Sequence, residues 1–153
     1  MLREGEKAPD FIANDANGDP VSLKDFRGKR IVLWFYPKDD TPGCTKEACS
    51  LRDASDKFDK KDIQVIGVSA DNERSHLKFI SKYNLPFTLV ADTDHKVVEK
   101  YGVWGEKSMY GKKYMGINRT TFLIDQDGKI AKIFGKVDVA NHADEVLAAF
   151  GEK

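Results

Sequence analysis

Apolar residues along this chain fall into short runs separated by turn signals, and the length and period of each run predict its element. Residues 30–36 are mostly β-branched and aromatic without polar alternation, the pattern of a central strand buried on both faces, and Pro37 ends it. Ahead of it, Asn17-Gly18 supplies the positive φ of a tight turn between residues 11–14 and 20–23, so the chain opens with a β-hairpin. From Thr41 the period changes: Thr41 is read as an N-cap and Pro42 as the first helical residue, with Ala48, Leu51, Ala54, Ser55 and Phe58 following at helical spacing. Residues 63–68 read as a second buried strand, 73–83 as a helix with Leu77, Phe79 and Ile80 inward, and 87–90 as a third strand. A short helix at 95–101 and an irregular stretch at 105–116 come next; then residues 120–124 and 130–134 flank Asp127-Gly128 as a second hairpin, and an amphipathic helix spans 140–150. Parallel crossovers followed by an antiparallel hairpin and a terminal helix predict an α/β fold with a mixed sheet and helices on both faces. No repeat, linker or low-complexity segment interrupts the pattern, so residues 1–153 read as one domain.

Composition narrows the function. The 25 Lys and Arg cancel the 25 Asp and Glu, which argues against a nucleic-acid or anionic-membrane binder. The longest apolar run, residues 31–36, is far short of the roughly 18 residues of a membrane span. Residues 1–7 carry both signs of charge and lead into no apolar stretch of the kind a secretory signal needs, so a cytoplasmic location is the default expectation. Two cysteines in 153 residues are no disulfide scaffold, which leaves chemistry or plain burial for each.

Cys44 falls at the third position of the helix that begins at Pro42, beside backbone N–H groups that have no partner within the helix. Such a position favours a thiolate. Lowering a thiol pKa from about 8.5 to about 6 raises the thiolate fraction roughly thirty-fold, but lost basicity takes back on the order of ten-fold in nucleophilicity. A fast catalyst therefore needs a fixed cation that stabilises charge on the attacked group as well. Cys49 follows in the same helix. In ideal geometry the two Cα atoms lie roughly 8.6 Å apart and some 140° around the axis. A disulfide tolerates at most about 7 Å, so bonding between them requires the helix to unwind.

The segment Pro37-x-x-x-Thr41-x-x-Cys44 resembles the active-site signature of the peroxiredoxins, thiol peroxidases on a thioredoxin-like fold. Cys49, within the run TKEACS, is similar to the second cysteine of the bacterioferritin comigratory protein or peroxiredoxin Q branch. The likeness extends through Gly67-Val68-Ser69-Ala70-Asp71, Asn84-Leu85-Pro86-Phe87, residues 110–117 and residues 119–125. It implies that Cys44 attacks a hydroperoxide and becomes a sulfenic acid, that Cys49 resolves it as a Cys44–Cys49 disulfide, and that thioredoxin or a similar dithiol reduces the bond. It further implies that Thr41 orients the peroxide, that Pro37 shields the sulfur from water, and that Arg119 is the fixed cation, its planar fork able to contact sulfur and oxygen together. The ending Gly151-Glu152-Lys153, without the extra helix of ring-forming relatives, leads to the expectation of a monomer that resists over-oxidation.

Other residues add less. Glu47 is either part of the site's hydrogen-bond network or an exposed charge favourable to the helix dipole. Asp125-Gln126-Asp127-Gly128 lacks the later ligands of a calcium loop and reads as a hairpin turn. Residues 105–112 lack the second glycine of a phosphate loop, and His76, His95 and His142 match no zinc spacing, so no cofactor or metal is expected. Trp34 and Trp104 are expected in or beside the core. A redox sensor remains open as a second role, distinguished from an enzyme by the need for only one oxidation and a partner. A disulfide reductase would need a cysteine where Thr41 stands, and a cysteine hydrolase would depend on one of the histidines.

Overall fold

The computed structural model describes residues 2–151. Its centre is a five-stranded sheet in the order β5-β4-β3-β8-β9, formed by β3 (Arg30–Phe35), β4 (Ile63–Ser69), β5 (Thr88–Ala91), β8 (Thr120–Ile124) and β9 (Ile130–Phe134). β3 pairs parallel with β4 and antiparallel with β8, while β4–β5 is parallel and β8–β9 antiparallel. This is the mixed sheet of the thioredoxin-like fold, with the N-terminal β-hairpin, β1 (Ile12–Asn14) and β2 (Pro20–Ser22), set beside it. Gly18, at φ 82°, makes the positive-φ bend of that hairpin, but the loop spans residues 15–19 and the Asp15 carboxylate accepts the N–H groups of Asn17 and Asp19.

The lack of alternation in β3 is explained by burial on both faces. Ile31, Leu33 and Phe35 join a core completed by Phe11, Val98 and Tyr101, on the side of α4 (Lys96–Lys100). Val32, Trp34 and Tyr36 face a second core with Cys44, Ala48 and Leu51 of α1 (Pro42–Asp53), Phe58 of α2 (Ser55–Lys60), Phe79 of α3 (Glu73–Tyr83) and Val146 of α5 (His142–Ala149). Gly67 on β4 lies opposite Trp34, and a Cβ there would come within 2.9 Å of the indole, so the glycine makes room for the ring. Trp104 stacks on His95 with ring centroids 4.1 Å apart.

Three local expectations are corrected. The helix from Pro42 does not run on to Phe58; it breaks at Ala54 into α1 and α2. On α3 the inward place given to Leu77 belongs to its neighbour His76, which is fully buried while Leu77 is 45% exposed. The stretch at 105–116 is a regular antiparallel hairpin, β6 (Trp104–Met109) with β7 (Lys112–Ile117). Its two-residue turn, Tyr110-Gly111, has φ of 52° and 78°, both positive as a type I′ turn requires. The Asp125 carboxylate accepts the N–H groups of Asp127 and Lys129 in the β8–β9 turn, which is the structural role read from the sequence. Among the described residues no helix is long and apolar enough to cross a membrane.

Candidate active site

β3 delivers the chain at the C-terminal end of the sheet, where Pro37, half-buried, turns it into the loop that leads to α1. Thr41 sits at the N-cap, with its carbonyl accepting the N–H of Thr45 at 2.8 Å. This is the N-cap position read from the sequence, although the Thr41 side chain makes no capping hydrogen bond. The hydroxyl instead donates to the Lys38 carbonyl at 2.9 Å. The first-turn N–H groups of Gly43 and Cys44 therefore keep their positive end of the dipole uncapped by Thr41. Cys44 and Cys49 are both free thiols, the first fully buried and the second half-buried on the same helix.

Arg119 lies 75 residues away in sequence, at the approach to β8, and the β3–β8 pairing brings it to the start of α1. Its Nη2 donates to Cys44 Sγ at 3.3 Å and its Nη1 to Glu47 Oε1 at 2.6 Å. Burial works against the guanidinium charge, but Cys44 and Glu47 beside it more than offset that and push its pKa up. Gly43 is what allows the approach, because a Cβ at this position would stand 3.1 Å from Arg119 Nη2.

Glu47 is not the exposed alternative. It is fully buried one turn after Cys44, and burial pushes its carboxyl from an ordinary 4.5 up to about 7 against the opposing pull of Arg119. Its spacing from Cys44 on the helix was the available signal, and only the packing of α5 over α1 decides between the two readings. Lys107 on β6 is a further cation that the sequence reading missed because its strand was taken as irregular. Its Nζ donates to the Ile117 carbonyl, and burial and the nearby Arg119 lower its pKa while Cys44 acts the other way.

A second polar cluster anchors the loop ahead of α1. Asp39 accepts from Tyr36 Oη at 2.6 Å and Ser75 Oγ at 2.8 Å, and its Oδ2 lies 2.7 Å from His76 Nδ1. His76 Nε2 is 2.9 Å from the Val90 carbonyl, so both ring nitrogens face acceptors, an arrangement that favours the imidazolium form. Burial alone would lower the His76 pKa, but the hydrogen bond and charge of Asp39 raise it overall. Asp39, Asp71 and His76 place their ligand atoms within 4.8 Å of one another, the spacing of a metal site. Each is already engaged: Asp71 Oδ2 accepts from Ser69 Oγ and from the Asp39 N–H.

A buried cysteine at a helix start, gripped by an arginine that leads into a neighbouring strand of a thioredoxin-like sheet, defines a thiol-dependent redox enzyme. The comparisons give the class its family: the AhpC/TSA family model matches residues 5–133, and the chain belongs to that family, the peroxiredoxins, in its bacterioferritin comigratory protein or peroxiredoxin Q branch. It is 51% identical to the putative peroxiredoxin Bcp of Coxiella burnetii over 95% of this chain and 97% of the relative. It is 50% identical to the peroxiredoxin Bcp of Bacillus subtilis, covering 94% and 91% of the two chains. The solved Cys-to-Ser mutant of Xylella fastidiosa PrxQ superposes with a TM-score of 0.93 at 32% identity, covering 99% of this chain and 96% of that one. The protein is a thiol peroxidase of this family.

Proposed function

We propose that Cys44 is the peroxidatic nucleophile of a two-cysteine peroxidase acting on hydrogen peroxide and organic hydroperoxides. One observation carries the reading: a single guanidinium bonds Cys44 Sγ at 3.3 Å while Glu47 fixes its other nitrogen. That is the fixed cation which a lowered thiol pKa alone cannot replace. The Thr41 hydroxyl spends its proton on the Lys38 carbonyl, which leaves the oxygen as an acceptor for the O–H of a hydroperoxide. The Cys44 thiolate attacks the terminal peroxide oxygen, an S–O bond forms as the O–O bond breaks, and the leaving oxygen takes a proton to become water or an alcohol. Arg119 and the Gly43 and Cys44 N–H groups stabilise the charge that passes to the leaving oxygen. Half-buried Pro37 keeps water from the sulfur.

Cys49 then attacks the Cys44 sulfenic acid, releasing water and forming the disulfide. Five residues apart on one α-helix, the two sulfurs meet only when the first turns of α1 unwind. Thioredoxin or a similar dithiol returns both cysteines to thiols by exchange. A solved complex of the Xanthomonas campestris bacterioferritin comigratory protein is described in terms of alkyl peroxide reduction, which supports organic hydroperoxides as substrates here.

The test is intact mass after one equivalent of hydrogen peroxide, with Cys44→Ser and Cys49→Ser alongside. The expected masses are loss of two hydrogens in the wild type, one added oxygen or an intermolecular disulfide in Cys49→Ser, and no fast change in Cys44→Ser. Reaction of Cys49 first, or an unchanged wild type, would overturn the assignment.

A further inference from the structure

The mechanism leaves one buried acid with half its hydrogen-bonding capacity unused. Glu47 Oε1 bonds Arg119, but Oε2 is buried with no hydrogen-bond partner among the described residues, an arrangement that costs free energy unless a proton resolves it. His142 Nε2 on α5 lies 3.6 Å from Oε2, in a ring that is itself fully buried.

The surroundings of the ring fix its tautomer. His142 Nδ1 lies 3.0 Å from Glu145 Oε1, a carboxylate, so Nδ1 carries the hydrogen and the neutral ring presents a lone pair at Nε2. Thr121 Oγ1 on β8 is 2.8 Å from the same Nε2 and donates to it while the ring is neutral. Phe134 on β9 stands edge-on to the ring at 5.6 Å. Asp138, whose N–H bonds Glu145 Oε1, and Arg119 are the remaining charges that act on it. With Glu47 ionised, a negative Oε2 faces the Nε2 lone pair. One proton removes that repulsion, either held on Oε2 as a carboxylic O–H or carried by the ring as an Nε2–H facing Oε2 across 3.6 Å. The Thr121 hydroxyl serves both states, because it can donate to a bare Nε2 or accept from a protonated one.

We propose that Glu47 and His142 share a single exchangeable proton, and that this couple sets how much of the Arg119 charge falls on Cys44. His142 is then a positioning residue that acts through Glu47 and never touches the sulfur. With the proton present the couple is neutral overall, and when Glu47 keeps the proton Arg119 is free to compensate the thiolate. With the proton lost, ionised Glu47 draws part of the Arg119 charge away. By linkage, formation of the thiolate favours retention of the proton by the couple. Burial raises Glu47 to about 7, and burial also lowers His142 against the pull of Glu145, so the exchange falls near neutral pH.

The inference rests on Cys44 being the reacting thiol, and two readouts keep the two claims apart. The first is the ¹⁵N shift of the His142 ring followed through about pH 5.5 to 8.5, bracketing neutrality. The second is the rate of Cys44 alkylation by iodoacetamide over the same range in a Cys49→Ser background. In the wild type the Nε2 signal should show a step near pH 7, absent in Glu47→Gln, and the alkylation profile should show a matching inflection. His142→Gln should shift or remove that inflection. Glu145→Gln, a change at a partly exposed site that spares the core, should move it down by about half a pH unit by removing an anion that faces both groups. A featureless His142 signal in the wild type, or an inflection unmoved in either His142→Gln or Glu145→Gln, would overturn the couple. Oxidation of Cys44 by peroxide, read by mass in each variant, tests the nucleophile separately. If Cys44 oxidises throughout while the pH profile stays fixed, the couple alone is lost.

Discussion

Two buried polar clusters flank the start of α1, and they differ in how completely they are satisfied. Around Asp39 the carboxylate accepts from Tyr36, Ser75 and His76, and the His76 ring closes on the Val90 carbonyl. Around Arg119 the guanidinium divides itself between a sulfur and a carboxylate, and Glu47 keeps an unpaired oxygen in the interior. A closed buried network holds one conformation and has little left to offer a ligand. An open one retains capacity for charge that appears later, during a reaction, and the molecule carries the cost in stability. One cluster therefore fixes the loop ahead of the helix, and the other lies where sulfur chemistry can take place.

The largest expected effect tests the open cluster. Arg119→Lys cannot bond sulfur and Glu47 together, so the rate of Cys44 oxidation should fall by on the order of 10²–10³ while the fold persists. Stopped-flow oxidation beside thermal melts checks both halves, and an undiminished rate would remove Arg119 from the chemistry. The closed cluster should respond in the opposite way. His76→Gln leaves the Asp39 charge short of its partner and should cost about 3 kcal/mol in denaturant unfolding, with the oxidation rate of the folded fraction unchanged. Since the folded His76 pKa lies above its ordinary 6.5, its contribution is complete below that value and is lost as pH rises through the higher folded one. The variant should lack that alkaline decline, and a wild-type slope surviving in it would place the titration elsewhere.

The same contrast separates what was legible in the sequence from what was not. β3 was readable because burial on both faces leaves an unbroken apolar run, and α1 because Thr41-Pro42 opens it and Ala48 and Leu51 keep its period. Cys44 and Cys49 were visible as residues, but Arg119 gained its place only through family resemblance, since nothing local in a residue before a strand says that its partner lies 75 positions earlier. For His76 and His142 the sequence leaves burial and exposure both open, because periodicity reads apolar side chains. A histidine whose bonds are satisfied inside looks the same in sequence as one in solvent, and on α3 the rule put Leu77 where His76 belongs. The β6–β7 hairpin escaped for two reasons. Most of its residues are exposed, so neither face shows an apolar alternation, and its turn places Tyr110 rather than asparagine or aspartate in the left-handed region.

Glu47→Gln probes the stability cost of the open cluster directly. Between the unfolded value near 4.5 and the folded value of about 7, the native state binds the extra proton, so stability falls as pH rises through that window and the penalty is complete above it. The shift corresponds to at most about 3 kcal/mol, and because Arg119 loses its ionic partner in the variant, a net gain of about 1 kcal/mol above neutral pH is expected. Urea unfolding at two pH values on either side of 7 checks it. Equal stability of the two proteins at both would mean that Glu47 costs the fold nothing.

The smallest change is the most discriminating about geometry. Gly43 lies in the first turn of α1 in ordinary helical conformation, so alanine there should stabilise the helix by about 0.5–1 kcal/mol. The new Cβ would stand 3.1 Å from Arg119 Nη2, a contact close enough that the guanidinium must yield by a few tenths of an ångström. If the Arg119–sulfur bond matters at that tolerance, Gly43→Ala should melt at or above the wild-type temperature and yet oxidise roughly five- to ten-fold more slowly, the equivalent of about 1 kcal/mol in the barrier. A variant that gains stability without losing rate would show that Arg119 acts as a diffuse positive field at Cys44. A loss of rate at unchanged fold would show that the cation is held in register with the sulfur, and that the glycine is there to let it in.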